Sequence, residues 1–268
     1  MSPDRFDFRQ ARKQSGSGEM PFLDHLEELR WRIIWSLLAL VVFSGLGFWL
    51  VIRFDALNIL IAPASPYIGD RLNYLSMTEP FMITLKLGIL LGILGSFPVI
   101  AYQVWAFVSP ALHKREKRVI VPALYMGLLL FAGGVALAYF YVLPATAKFL
   151  TGFQKGALDP MLTADRYIAD VTRILVAFGV VFELPVVVLI LSSLGLVTSK
   201  FLASKRRFAI AGMTVAASLL TPGDTITVTV FMMLPLMLLY EMSIALARLM
   251  ERRRARAEQA DELAEVTP

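Results

Sequence analysis

Four acidic positions in this chain could do chemistry. Glu183 interrupts an apolar run, LVAFGVVFELPVVVLILSSLG (175–195), two residues before Pro185. At the centre of a helix in hydrocarbon a charge costs about 2.5–3.5 kcal/mol on insertion scales. Such a carboxyl must face protein or a water-filled cavity, where it can carry a proton, bind a polar group of a partner, or lock two helices by a hydrogen bond. Pro185 removes a backbone donor and favours a kink one turn earlier. Glu28 stands in MPFLDHLEELRWRII beside Asp24, Glu27, Arg30 and Arg32. Carboxylates here could be presented to a cationic partner. The same residues also suit the entry of an amphipathic interfacial helix. Pro21 fits its first turn, the acids favour the positive end of the helix dipole, and Glu28–Arg32 makes an i, i+4 pair worth about 0.2–0.5 kcal/mol. Glu116, in YQVWAFVSPALHKREKR, is one acid among Lys114, Arg115, Lys117 and Arg118, where local charge balance is its simplest role. Asp224 closes the turn Thr221-Pro222-Gly223-Asp224 and can cap the helix that follows.

Catalysis has little to build on. The two histidines, His25 and His113, belong to no HExxH pattern, and there is no cysteine and no glycine-rich phosphate loop. The residues point to no enzyme, no metal and no cofactor.

The elements that must hold these acids are membrane helices. Of 268 residues 57% are hydrophobic and 18% charged, with a mean hydropathy of +0.66. The apolar residues come in long runs broken by short charged clusters, the pattern of a polytopic membrane protein. Six runs stand out, at about 32–52, 81–107, 119–143, 168–196, 208–220 and 226–249. The second and fourth are long enough to tilt, the fifth is short, and the last two form a short hairpin against longer neighbours. The predicted fold is therefore an all-α membrane protein of six transmembrane helices. Nineteen Lys and Arg residues fall on one side of these runs and six on the other, so both termini face the cytoplasm. That rule also accounts for the net charge of +5 without nucleic acid as a partner. Residues 1–18 read as a flexible extension, 19–249 as the membrane domain, and 250–268 as a charged tail, frayed or disordered from about 255. The outer loops, rich in proline and apolar residues, suggest short packed pieces that cap the helices. Tyr102, Trp105 and Phe107 fit an aromatic interface belt. Glu241 could pair with Arg248 or snorkel. The first run lacks a small-residue cleavage site and reads as a retained helix. No internal repeat of the inverted-transporter kind is seen.

From the residues alone three classes stay open: a receptor presenting carboxylates to a cationic partner, a proton-coupled small-solute transporter with Glu183 as proton carrier, and a structural scaffold. Four stretches in order, FLDHLEELRWR, YQVWAFVSPALHKRE, FGVVFELPVVV and LLTPGDTITVTVFMMLPLMLLYE, resemble the TatC family, the core of the twin-arginine protein translocase. The resemblance covers about residues 20–248. It implies a multi-pass protein of the inner membrane that binds twin-arginine signal peptides of folded cargo. It further implies a multi-copy complex with TatA-like and TatB-like single-span partners, driven by the proton-motive force. It places Glu28, Arg30, Phe107 and Glu116 in signal-peptide recognition, makes Glu183 the intramembrane carboxyl, and matches Asp224 to the acid of the last outer loop.

Overall fold

The structure, a computed structural model, describes residues 22–69, 71–111, 117–152, 162–220 and 226–266. Eleven α-helices follow one another: α1 Phe22–Phe54, α2 Ala56–Ile61, α3 Ser65–Ile68, α4 Glu79–Val108, α5 Lys117–Leu137, α6 Leu143–Gly152, α7 Ala164–Val181, α8 Leu184–Ser193, α9 Ser199–Ser204, α10 Arg206–Leu220 and α11 Ile226–Val266. Among the described residues there is no sheet, only a single bridge between Asn73 and Thr163.

Among the described residues five stretches are long and apolar enough to cross a membrane: Asp24–Phe54, Glu79–Val108, Pro122–Gly152, Ala164–Ser193 and Met233–Arg252. They coincide with five of the six runs read from the sequence. The remaining run is α10, whose 15 residues rise only about 22 Å, short of the roughly 30 Å hydrocarbon core. It packs against α11 and is the short member of the six-helix arrangement.

Helices in lipid gain no hydrophobic energy from meeting each other, so small residues that let backbones touch do much of the work. The seam between α1 and α4 is of this kind. A Cβ on Gly92 would lie 2.6 Å from Ser44 Cα, and one on Gly47 would lie 2.5 Å from the Gly88 carbonyl oxygen. The rest of α1 is almost wholly exposed, with Trp31, Trp35, Val41, Trp49 and Ile52 turned outward. A second seam joins α5 and α7: a Cβ on Gly134 would meet the Phe178 carbonyl oxygen at 2.7 Å, and one on Gly179 the Phe131 ring at 2.7 Å.

The expected outer cap is present. Tyr139 Oη donates to the Ile59 carbonyl at 2.5 Å and Tyr167 Oη to the Leu60 carbonyl at 2.9 Å, pinning α2. A strap at 71–78 is tied to the start of α7. Ala164 N–H donates to the Asn73 carbonyl at 2.7 Å, and the Glu79 carboxylate accepts from Leu75 N–H at 2.7 Å and from Asp165 N–H at 3.1 Å. Lys86 pairs with Asp165 beside it.

Four expectations are corrected. The third span does not end at 143: a π-turn at 138–142 leads directly into α6, so Pro144 sits in a helix and much of the expected outer loop is helical. A π-turn relieves the i→i−4 ladder where proline has no N–H to give. The tail does not fray at 255, because α11 runs to Val266 through alanine, arginine, glutamate and leucine, all strong helix formers. The last helix is thus 41 residues long although its membrane-length part, Met233–Arg252, is 20. Trp105 leaves the aromatic belt for the core, 6% exposed and clustered with Ala123, Val186, Leu189 and Met250. Glu241 pairs with Arg206 at 2.8 Å, across the α10–α11 hairpin, and not with Arg248.

Candidate functional site

The glycine seam between α1 and α4 brings their cytoplasmic ends together, and a polar cluster forms where they meet. On α1, His25, Glu28 and Arg32 fall at i, i+3 and i+7 and share one face. On α4, Gln103 and Phe107 are one turn apart on the opposing face. The His25 ring stacks on Phe107 with centroids 4.2 Å apart and planes 9° from parallel. His25 Nδ1 lies 3.5 Å from Glu28 Oε2. Arg32 holds the other oxygen, Oε1, with two donors: Nε at 2.9 Å and Nη2 closer still. Arg32 Nη1 also donates to Gln103 Oε1 at 3.3 Å. Glu28 and Arg32 keep 22% and 23% of their side-chain surfaces exposed, so the carboxylate is shielded but within reach of the aqueous side. Glu28 Oε2 itself is buried and accepts no hydrogen bond.

Of the residues singled out in the sequence, Glu28 and Phe107 are brought together, with His25 as the link between them. Arg30 is not in the cluster: it is exposed on a different face of α1, and Arg32 takes the place beside Glu28. Glu27 is likewise exposed. Glu116 and Asp224 lie outside the described residues. His25, Arg32 and Gln103 complete the cluster; spacing pairs Glu28 with Arg32, but only the meeting of α1 with α4 recruits the other two.

The second site is Glu183. The fourth span breaks where Pro185 predicts, α7 ending at Val181 and α8 starting at Leu184. Glu183 stands in the turn between them, its N–H on the Val180 carbonyl at 3.1 Å and its own carbonyl accepting from Val186 and Val187 N–H, each at 2.9 Å. Its side chain is half-buried and crosses to α5, where it fills the room left by Gly127. A Cβ on Gly127 would lie 2.9 Å from Glu183 Oε2 and 3.4 Å from Oε1. Glu183 Oε1 is buried with no hydrogen-bond partner. Exposed Val180, Leu184 and Val187 surround the turn. The carboxyl thus places an unpaired buried oxygen beside an outward apolar surface.

A further polar junction closes the cytoplasmic side. Glu251 on α11 accepts from Ser199 N–H and from Ser199 Oγ, both at 2.6 Å, and Tyr240 Oη donates to the Leu202 carbonyl at 2.8 Å. These contacts fix α9 to α11. Among the described residues no group of His, Asp or Glu is placed to hold a metal ion.

The family model described as Sec-independent protein translocase protein (TatC) matches residues 24–235. A Sec-independent protein translocase protein TatC of Aquifex aeolicus is 39% identical over 244 residues, covering 90% of this chain and 100% of the relative. One from Carboxydothermus hydrogenoformans is 38% identical, covering 85% and 93%. TatCy of Bacillus subtilis is 30% identical, covering 91% and 94%. Among solved structures, a crystal structure of the twin arginine translocase receptor TatC superposes with a TM-score of 0.73 at 40% identity, over 85% of this chain and 99% of that one.

Proposed function

The chain belongs to the TatC family of Sec-independent protein translocase proteins, and on that premise we propose that it is the signal-peptide receptor of a translocase exporting folded proteins with the proton-motive force. Membership makes it a multi-pass membrane component of a protein translocase and not an enzyme. The finer reading is carried by one observation: a carboxylate at the cytoplasmic ends of α1 and α4, Glu28, is shaped to hold a guanidinium and holds one already, that of Arg32. A twin-arginine peptide brings two such groups. Guanidinium binds carboxylate through parallel charge-assisted hydrogen bonds, which an ammonium cannot copy. Exposed pairs of this kind give only about 0–1 kcal/mol each. Recognition therefore combines Glu28 with Glu116, with the aromatic surface of Phe107, and with apolar signal-peptide contacts at the membrane surface. Arg30 and Asp224 belong to the same functional reading, Arg30 beside the peptide and Asp224 on the outer side. Glu183 serves a different purpose: it accepts a hydrogen bond from a polar group on the transmembrane helix of a TatA-like or TatB-like partner, within a multi-copy complex.

The test is crosslinking of a twin-arginine peptide and its Lys-Lys version to the membrane-inserted chain. Glu28→Gln should weaken the twin-arginine crosslink severalfold and the charge-reversing Glu116→Arg should abolish it, while the protein stays inserted. Undiminished crosslinking in either variant would refute the receptor reading.

A further inference from the structure

We propose that Arg32 is a built-in competitor for the Glu28 carboxylate, and that the exchange of Arg32 for a ligand arginine sets the selectivity of the site for arginine over lysine. The inference rests on the reading of Glu28 as the acceptor for a signal-peptide guanidinium.

The occupancy of the carboxylate carries the argument. Oε1 accepts from both Nε and Nη2 on one edge of the Arg32 guanidinium, and Oε2 is buried behind His25, which the Phe107 ring holds in place by stacking. No cation can reach Glu28 with full hydrogen bonding while Arg32 stays. Binding is thus an exchange, and its balance depends on what enters. A guanidinium replaces a two-donor grip with another two-donor grip, so the exchange is close to even. An ammonium replaces it with a compact, strongly hydrated point charge, so the exchange runs uphill. Selectivity in this scheme comes from what must be displaced and does not require a pocket shaped to one side chain. Arg32 also has somewhere to go: its Nη1 already reaches Gln103 Oε1 at 3.3 Å, so the displaced guanidinium keeps a partner on α4. The same resident cation keeps Glu28 from attracting stray basic segments when no cargo is present.

The experiment measures equilibrium binding of a fluorescent peptide bearing Arg-Arg, and of its Lys-Lys version, to the purified full chain in nanodiscs. Arg32→Gln should tighten the Arg-Arg peptide by about two- to fivefold, the worth of a partly exposed ion pair. It should tighten the Lys-Lys peptide by more, so that the ratio between them narrows. Arg32→Lys, which keeps the charge and loses the fork, should fall between wild type and Arg32→Gln and serves as the variant least able to disturb folding. In a Glu28→Gln background, Arg32→Gln should change neither affinity. Weaker Arg-Arg binding by Arg32→Gln would overturn the proposal and make Arg32 a residue that positions Glu28. An equal gain with and without Glu28 would also overturn it, reducing the effect to general charge repulsion. If Glu28→Gln alone leaves Arg-Arg binding untouched, the receptor reading itself fails, and that result is distinct from both.

Discussion

Replacing Glu183 by methionine separates two roles that a static picture of a buried carboxyl leaves entangled. If Glu183 existed to lock helices, its carboxyl would be satisfied within the chain, and removing it would cost stability. Instead Oε1 is buried without a partner, and the side chain meets α5 at a glycine, Gly127, which offers it no side-chain donor. A buried polar group left unpaired costs about 1–3 kcal/mol. Glu183 is only half-buried, so the lower part of that range applies. Methionine has a similar length and no branch to strike α5, so Glu183→Met should stabilise the isolated chain by about 1 kcal/mol. For a domain of this size that corresponds to a rise in Tm of about 2–4 °C. Unfolding of membrane proteins is commonly irreversible, so wild type and variant are compared at one scan rate, in one detergent. The same variant should lose crosslinks to the TatA-like and TatB-like partners while still binding a twin-arginine peptide. A stabilised chain that no longer meets its partners is the signature of an acceptor reserved for another molecule. A lower Tm for Glu183→Met would refute the reasoning and return Glu183 to the role of helix lock.

Two further outcomes follow from the helix seams and the outer cap. Gly92→Ala should cost about 1–3 kcal/mol, because its Cβ would strike Ser44 backbone atoms at 2.6–2.7 Å, whereas Gly45→Ala, with nothing within 4 Å, should be neutral; thermal unfolding of both checks the contrast, and equal Tm values would contradict the seam. Glu79→Ala should free the 71–78 strap and raise hydrogen exchange at Leu75 and Asp165, whereas Lys86→Gln, which breaks a pair about 42% exposed, should change stability by less than about 1 kcal/mol.

What the sequence made legible follows from what a bilayer forbids. Long apolar runs, the side bias of lysine and arginine, and the cost of a carboxyl in hydrocarbon are strong constraints, so the spans, their orientation and the oddness of Glu183 could all be read from residue order. The break at 182–183 was legible too, because Pro185 cannot donate to the ladder. What stayed hidden depends on how one helix sits against the next. Spacing relates Glu28 to Arg32, but the arrival of Gln103 and the stacking of His25 on Phe107 depend on the α1–α4 register, which Gly47, Gly88 and Gly92 set through backbone contact. Gly127 beneath Glu183 is hidden for the same reason. Proline at 144 reads as a loop because the π-turn that accommodates it has no sequence mark. The helical tail is illegible because a charged composition says that a segment is solvated and not whether it is helical.

The two seams explain why the two carboxylates behave differently. Each seam exists because glycines let backbones close up where lipid offers no hydrophobic drive. In the α1–α4 seam the close approach extends outward until it meets water, and there the side chains diverge into a polar cluster in which Arg32 holds Glu28 Oε1, Gln103 accepts from Arg32, and His25 lies between Phe107 and the unpaired Glu28 Oε2. In the α5–α7 seam Gly127 makes room for a carboxylate inside the membrane, where no side chain satisfies Oε1. The first acid can give up its partner to an incoming cation at little net cost, which suits a ligand that must bind and leave. The second has nothing to give up, and any donor that reaches it removes a standing penalty, which suits a subunit meant to stay. Gly92→Ala should therefore disturb peptide binding and leave the Glu183 contacts alone, since the seam it forces apart at Ser44 is the one that holds His25 against Phe107 and not the one beneath Glu183.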